Sequence, residues 1–133
     1  MAKPDMPQWG SQTEGKWLSM TAANTPQHPQ TMLRITAAAL PNGVLLLLQG
    51  EFNAAGVAIF TQEIDNALHQ HPHPRVVVEL SKLAFCDDHG LRAMIIALQR
   101  VRASGGEFML ASVHGRCRRL LQRKGLNTFF PPA

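Results

Sequence analysis

Three consecutive polar residues, Asp87, Asp88 and His89, are the strongest candidates for chemistry in this chain. Two carboxylates beside an imidazole could serve as a general acid–base cluster. However, Ser81 and Ser112 stand in no catalytic motif, and the sequence carries no phosphate-binding glycine loop. We therefore expect a binding site here, in a protein that is not an enzyme.

Histidine and cysteine could also bind a metal ion. The tract 69–74, His-Gln-His-Pro-His-Pro, contains three alternating histidines but no acid or thiol, so it is a poor match to a metal site. Cys86 and Cys117 do not form a Cys-x-x-Cys pair. The sequence thus predicts neither a bound metal nor another cofactor, and both cysteines are expected to be reduced thiols.

The candidate residues lie between a predicted strand and a predicted helix. The apolar and mostly β-branched run 76–80 predicts a strand buried on both faces. After a short loop, a helix is expected to begin at Asp87 or Asp88, because Asp is a favoured N-cap. Glycines after Ala103 predict the end of this helix. In open α/β sheets, ligands and partners bind at this end of the strands.

The rest of the chain supplies a hairpin, two further helices, another strand and a closing segment. The hairpin strands are predicted at about residues 32–38 and 44–48, and the further strand at 107–111. The two further helices are predicted at about 54–69 and 115–124, and the closing segment at 126–130. Asn53 is expected to cap the helix that follows it, and the closing segment is expected to be apolar cover or a short last strand. The order β-β-α-β-α-β-α predicts an α/β fold with a mixed, mostly parallel sheet of about four or five strands and three helices.

Length and composition are typical of one globular domain. The chain has 133 residues, of which 45% are hydrophobic and 17% charged. No apolar run has the length of a membrane span, and the N-terminus lacks the apolar core of a signal peptide, so we expect a cytoplasmic protein with no membrane insertion. Residues 1–31 contain four prolines and many polar residues, which predicts a flexible N-terminal extension before a domain at 32–133.

Basic residues are concentrated in the second part of the chain. From His89 onward there are eight Arg or Lys residues and one acid, whereas the first 88 residues carry five basic and eight acidic groups. The last predicted helix contains four arginines: Arg116, Arg118, Arg119 and Arg123. They are either a solvated helix face or a surface for an anionic partner.

The central stretch resembles the signature of STAS domains, the fold of anti-sigma factor antagonists. Val-Val-Val-Glu-Leu-Ser followed by Phe-Cys-Asp-Asp-His-Gly-Leu is similar to the family pattern, in which a strand with Asp-Leu-Ser precedes Ile-Asp-Ser-Ser-Gly-Leu at the start of a helix. Further similar stretches occur in the family order at 50–55, 98–106 and 117–126. The resemblance spans about residues 32–130 and implies a STAS-type sheet and a protein-interaction function.

Some residues depart from the family pattern. Antagonists of this family are switched by phosphorylation of the first serine of Asp-Ser-Ser-Gly. Here Asp88 stands at that phospho-acceptor position and His89 at the second serine, while Asp87 keeps the preceding Asp. Asn53 replaces an Asp that helps to contact the anti-sigma partner. Asp88 is therefore expected to be a fixed negative charge in place of a phosphate, a helix cap, or both.

The resemblance implies an anti-sigma factor antagonist-like module of a bacterial regulatory system, which binds an anti-sigma factor or serine-kinase-like protein. The expected partner-binding residues are Glu51, Asn53, Asp87, Asp88, His89, Gly90 and Arg92. One alternative is a STAS subunit of a larger assembly, such as a lipid-transport ATPase or a stress-signalling complex. The other is a nucleic-acid-binding protein that uses the arginine-rich last helix, although nucleic acid is not the expected partner.

Overall fold

The computed structural model describes residues 32–126 and 128–131. The predicted flexible extension, residues 1–31, lies outside the described residues. The division into an extension and a domain at 32–133 therefore stays a prediction.

Strands and helices follow one another in the predicted order. The elements are β1 (Arg34–Leu40), β2 (Gly43–Phe52), α1 (Val57–Gln70), β3 (Arg75–Cys86), α2 (Asp88–Ala103), β4 (Glu107–Ala111) and α3 (Gly115–Arg123), with a 3-10 turn at Ala54–Gly56. The first helix was expected to be α-helical from residue 54. Its opening turn is instead 3-10, and the α-helix begins three residues later.

One four-stranded sheet organises the described residues, with the strands in the order β1-β2-β3-β4. The hairpin pair β1–β2 is antiparallel, whereas β2–β3 and β3–β4 are parallel. Each parallel pair is connected through a helix, as a crossover requires. The predicted α/β fold with a mostly parallel sheet and one antiparallel edge is confirmed.

The core lies between the sheet and the helices. Val76 and Val78 of β3 are completely buried, as predicted for a strand covered on both faces. They pair in register with Val44 and Leu46 of β2. The apolar faces of α1 and α2 complete this core with six large buried side chains: Phe60, Ile64, Leu91, Met94, Leu98 and Val101.

The closing segment is apolar cover rather than a strand in its described residues. The Phe130 ring lies 6.1 Å from the Phe108 ring of β4, measured between centroids. The N–H of Leu110 donates to the Pro131 carbonyl over 3.2 Å. These contacts place the end of the segment against the outer strand of the sheet.

The short loop expected after residue 80 is wrong, because β3 continues to Cys86. Residues 82, 83, 85 and 86 go on pairing with β2, through two register shifts. The polar pair Ser81-Lys82 and the irregular register hid this second half of the strand, since neither residue follows the apolar pattern. As a result, β2 and β3 end side by side, with Phe52 paired to Cys86.

The substitution Gly90→Ala tests how closely β2 packs on α2. A Cβ at this buried position would lie 2.5 Å from the Phe52 carbonyl oxygen and 2.9 Å from Cγ of its ring. Gly90→Ala should therefore lower the free energy of unfolding by about 1–3 kcal/mol, as overpacking does. An unstrained Gly→Ala change in a helix would raise it by up to about 1 kcal/mol instead. Urea denaturation gives the sign, and a gain in stability would contradict the close packing.

Candidate partner-binding site

The ends of two parallel strands and the start of a helix meet at one edge of the sheet. The backbone N–H of Asp87 donates to the Phe52 carbonyl oxygen over 3.2 Å, which joins the end of β3 to the end of β2. Glu51 pairs in register with Phe85, so it lies on the neighbouring strand beside the start of α2. Asn53 follows directly after β2. The structure thus brings the predicted residues of the 50–55 stretch to the edge that carries Asp87.

Asp87 is the N-cap of α2. Its Oδ1 accepts hydrogen bonds from the backbone N–H groups of His89, over 2.9 Å, and Gly90, over 3.1 Å. Two of the N–H groups that a helix start leaves without partners are thereby satisfied. The alternative role of Asp88 as the helix cap is wrong, since Asp88 is the first helical residue rather than the residue that precedes it.

Asp88 projects from the first turn of α2 toward solvent. Its side chain is 69% exposed, and its Oδ1 lies 3.4 Å from Nζ of Lys124 at the end of α3. A carboxylate in the first turn also interacts favourably with the positive end of the helix dipole. Because the ion pair is exposed, it contributes little to stability. This carboxylate is therefore available at the surface.

His89 and Arg92 add exposed cationic or titratable groups to the same helix turn. The Nδ1 atom of His89 lies 3.6 Å from Oδ2 of Asp87. Gly90, by contrast, is buried, so its part in the predicted surface is to let α2 approach β2 rather than to contact a partner.

Asn53 and Glu51 line the other side of this edge. The Oδ1 of Asn53 accepts a hydrogen bond from the Ala55 N–H over 3.1 Å, so Asn53 caps the 3-10 turn that precedes α1. The predicted capping role is confirmed for this turn. Both side chains are half-buried, which leaves part of each at the surface.

A groove of about 410 Å³ separates the start of α2 from α3. Its walls come from the end of β3, the start of α2 and one side of α3: Phe85, Cys86, Asp87, Asp88, Arg116, Arg119, Leu120 and Arg123. The guanidinium carbon of Arg116 lies 5.2 Å from the centroid of the Phe85 ring, a cation–π distance. The groove itself was not predicted from the sequence. The spacing of the three arginines, i, i+3 and i+7, was the available signal that they share one helix face.

Glu79 occupies the strand position where the family pattern has Asp. The hydrogen bond with Ser81 is the main reason that the pKa of Glu79 lies below its usual value. Ser112 and His114 add to this effect, whereas burial opposes it. The Ser81 N–H donates to Oε2 of Glu79 over 3.1 Å. Glu79 thus lies in a local polar cluster in the middle of β3, outside the groove.

The described residues contain neither a metal-binding cluster nor a membrane-spanning helix. Residues 32–126 and 128–131 contain no group of three His, Cys, Asp or Glu side chains arranged to hold a metal ion. In the histidine tract 69–74, Nδ1 of His73 lies 2.8 Å from the Ser104 carbonyl oxygen. Within these described residues, no helix combines the length and the apolar character needed to cross a membrane.

Asp87 and Asp88 should differ in how much each contributes to the free energy of unfolding. Asp87→Ala removes both capping hydrogen bonds and should lower the free energy of unfolding by about 0.5–2 kcal/mol. Asp88→Ala removes only an exposed ion pair and a dipole interaction, so its cost should stay below about 1 kcal/mol. Asp87→Asn keeps a capping side chain and should largely retain the wild-type stability. Urea denaturation ranks the variants, and an equal cost for both alanine variants would contradict the assignment of the cap.

Comparisons with known proteins agree with this architecture. The family model for the STAS domain matches residues 34–133. An anti-sigma F factor antagonist of Paenibacillus polymyxa is 28% identical over 90 residues, which cover 67% of this chain and 77% of the relative.

Solved structures show the same fold at low identity. A superposition on an anti-sigma factor antagonist from Mycobacterium paratuberculosis gives a TM-score of 0.67 at 19% identity, covering 79% of this chain and 87% of that one. For the anti-sigma factor antagonist SpoIIAA in its unphosphorylated form, the TM-score is 0.64 at 19% identity, with coverage of 75% and 88%. Since the family model spans most of the chain and the four-stranded fold agrees with it, the chain belongs to the STAS domain family.

Proposed function

We propose that this protein is an anti-sigma factor antagonist that binds an anti-sigma factor of the serine-kinase type. The proposal rests on Asp88, an exposed carboxylate in the first turn of α2 at the position where the family pattern has its phospho-acceptor serine. The antagonist would compete with a sigma factor for binding to the anti-sigma factor. The sigma factor would thereby be released. The similarity to the Paenibacillus polymyxa antagonist supports this choice of partner.

The proposed interface is the edge where β2, β3 and α2 converge. Asp88, His89 and Arg92 are its exposed residues on α2, while Glu51 and Asn53 form its half-buried side after β2. Asp87 shapes the interface by capping α2. A surface fixed by backbone hydrogen bonds is preorganised, so little conformational entropy is lost when the partner binds.

Asp88 gives this interface a permanent charge. A phosphoserine carries about −1.5 to −2 charges at neutral pH, and an aspartate about −1, so Asp88 imitates phosphorylation only in part. A carboxylate has no hydroxyl to accept a phosphoryl group. Control by a kinase at residue 88 is therefore absent, and the protein is held nearer to the phosphorylated state of its relatives.

A nucleic-acid-binding function would have to use the arginine side of α3. The carboxylates of Asp87 and Asp88 line the same groove as Arg116, Arg119 and Arg123. They would repel the phosphates of a strand lying in it. This mixture of charges favours a protein partner, whose surface can present both signs.

Asp88→Ser tests the proposed switch. The change removes the charge and restores a hydroxyl at the phospho-acceptor position, while Asp87 still caps the helix. We expect the variant to bind a serine-kinase-type anti-sigma factor from the same genome more tightly than the wild type does. With ATP, that kinase should phosphorylate the variant and weaken the complex again. Calorimetry measures the affinities, and intact mass measures the phosphate.

Asp88→Asn is the matched control for that experiment, because it removes the charge at nearly constant shape and supplies no hydroxyl. It should bind as tightly as Asp88→Ser and remain unmodified in the presence of ATP. If wild type and both variants bind the same anti-sigma factor equally, the charge of Asp88 is not part of a switch. If none of the three binds any such factor, the proposed function itself fails.

Arg118 and Arg119 form a second matched pair. Arg119 lines the groove, whereas Arg118 donates to the Val113 carbonyl outside it. Because both residues are exposed, replacing either of them by Gln should change the free energy of unfolding by less than about 0.5 kcal/mol. We expect both variants to keep the wild-type affinity for the anti-sigma factor. A tenfold loss, about 1.4 kcal/mol, for Arg119→Gln alone would extend the interface into the groove. Salt-sensitive binding to duplex DNA that Arg119→Gln weakens would instead support the nucleic-acid alternative.

A further inference from the structure

The two outer strands of the sheet differ in how well they are covered. β4 has five residues, and the closing segment packs against it through Phe130 and the Pro131 carbonyl, which accepts the Leu110 N–H. β1 has seven residues, and among the described residues only β2 pairs with it. An outer strand presents unpaired N–H and C=O groups, with which another chain can pair. Within the described part of the chain, β1 is therefore the open edge of the sheet.

β1 lacks the features that usually keep an outer strand from pairing with another chain, which include proline, lysine and irregular register. It pairs with β2 from Arg34 to Leu40 without a register shift. Its sequence, Arg-Ile-Thr-Ala-Ala-Ala-Leu, contains no proline, and its one charge stands at the first residue. Five of its seven residues are exposed. The edge is therefore regular, nearly uncharged and accessible to a second chain.

Apolar surface continues from this edge onto the helix layer. Ala37 is paired with the fully buried Leu46, so it points to the core face of the sheet, yet it is exposed. On that face α1 packs mainly on β1 and β2, and α2 mainly on β3 and β4. Thr61 lines the groove between these helices. Ile59 lies about 160° from Thr61 around α1, at 3.6 residues per turn, so it is on the flank toward the β1 edge. Its side chain is exposed.

We propose that the free side of β1 is a dimer interface, at which β1 of a second copy of this chain pairs antiparallel with it. The two-fold axis passes through Ala37, perpendicular to the sheet, and two four-stranded sheets become one continuous sheet. Such an interface uses the same surface on both copies. Ala37 then lies opposite itself, and Thr36 opposite Ala38 of the second copy. The axis keeps the helices of both copies on one side, which brings the two Ile59 side chains toward each other.

The distribution of charge favours a second copy over an oppositely charged protein. Arg34 is the single charged residue of β1, so the edge offers little to a strongly acidic or basic partner. In the antiparallel pair, Arg34 lies opposite Leu40 of the second copy. The two Arg34 residues are then about 20 Å apart at about 3.4 Å per residue, well beyond the Debye length of about 8 Å. Self-pairing therefore buries the alanines of the edge without bringing like charges together.

Sedimentation velocity of the full-length chain over a dilution series tests the interface. We expect the wild type to show a concentration-dependent equilibrium between monomer and dimer. Ala37→Lys and Ala37→Glu each place two like charges directly opposite at the axis, so each variant alone should lose the dimer. An equimolar mixture of the two variants should regain it, because lysine then faces glutamate. This rescue is specific to an axis through residue 37, and a misfolded variant could not produce it.

Ile59→Lys and Ile96→Lys are a matched pair of controls, since the two side chains are 44% and 45% exposed. Ile59→Lys should shift the equilibrium toward monomer. Ile96 lines the groove between α1 and α2, away from the β1 edge, so Ile96→Lys should leave the dimer unchanged. A cooperative urea transition shows that each variant is folded.

Four results would overturn the proposal. They are a wild type that stays monomeric at every concentration, a dimer that survives in both Ala37 variants, a mixture that stays monomeric, and a dimer that Ile96→Lys disrupts while Ile59→Lys does not. Asp88 and the groove belong to β3, α2 and α3 rather than to β1. The experiments contain no anti-sigma factor, so their outcome is independent of the proposed function.

Discussion

The hydrogen bonds of Asp87 hold the candidate site together. Its side chain closes the start of α2, while its backbone N–H reaches the end of β2. One residue thus fixes the relative positions of two strands and a helix. Gly90 completes the junction, because a larger residue would collide with the Phe52 carbonyl that accepts this bond. Every exposed group of the proposed interface is attached to one of these three elements.

This junction explains how residues far apart in sequence form one surface. Glu51 and Asn53 precede Asp87 by more than thirty positions, and the parallel pairing of β2 with β3 brings them to the same edge. Parallel strands end on one side of a sheet, so residues after successive strands gather there. A binding module built in this way needs no long ordered loop, since the strand ends and the first helix turn supply its polar groups.

The sequence predicted the order of the elements, because apolar periodicity reports it directly. It did not predict the second half of β3, where Ser81 and Lys82 interrupt that periodicity and pairing is maintained across irregular register. It also left open which of two adjacent aspartates caps α2. Either residue type suits an N-cap, and only the backbone geometry decides that Asp87 does so.

The groove could not be predicted from the sequence, because it forms where α3 approaches the end of β3, and no local sequence pattern reports that contact. The packing of α3 against β3 places three arginines in the same groove as Asp88 and brings Lys124 next to the Asp88 carboxylate. The field at residue 88 is therefore a balance between the two carboxylates and the basic side of α3. Lys124 offsets part of the charge of Asp88, but the pair is exposed and solvent screens it. An added phosphate would shift that balance further than an aspartate does. The basic side of α3 and the two carboxylates thus share one surface around residue 88.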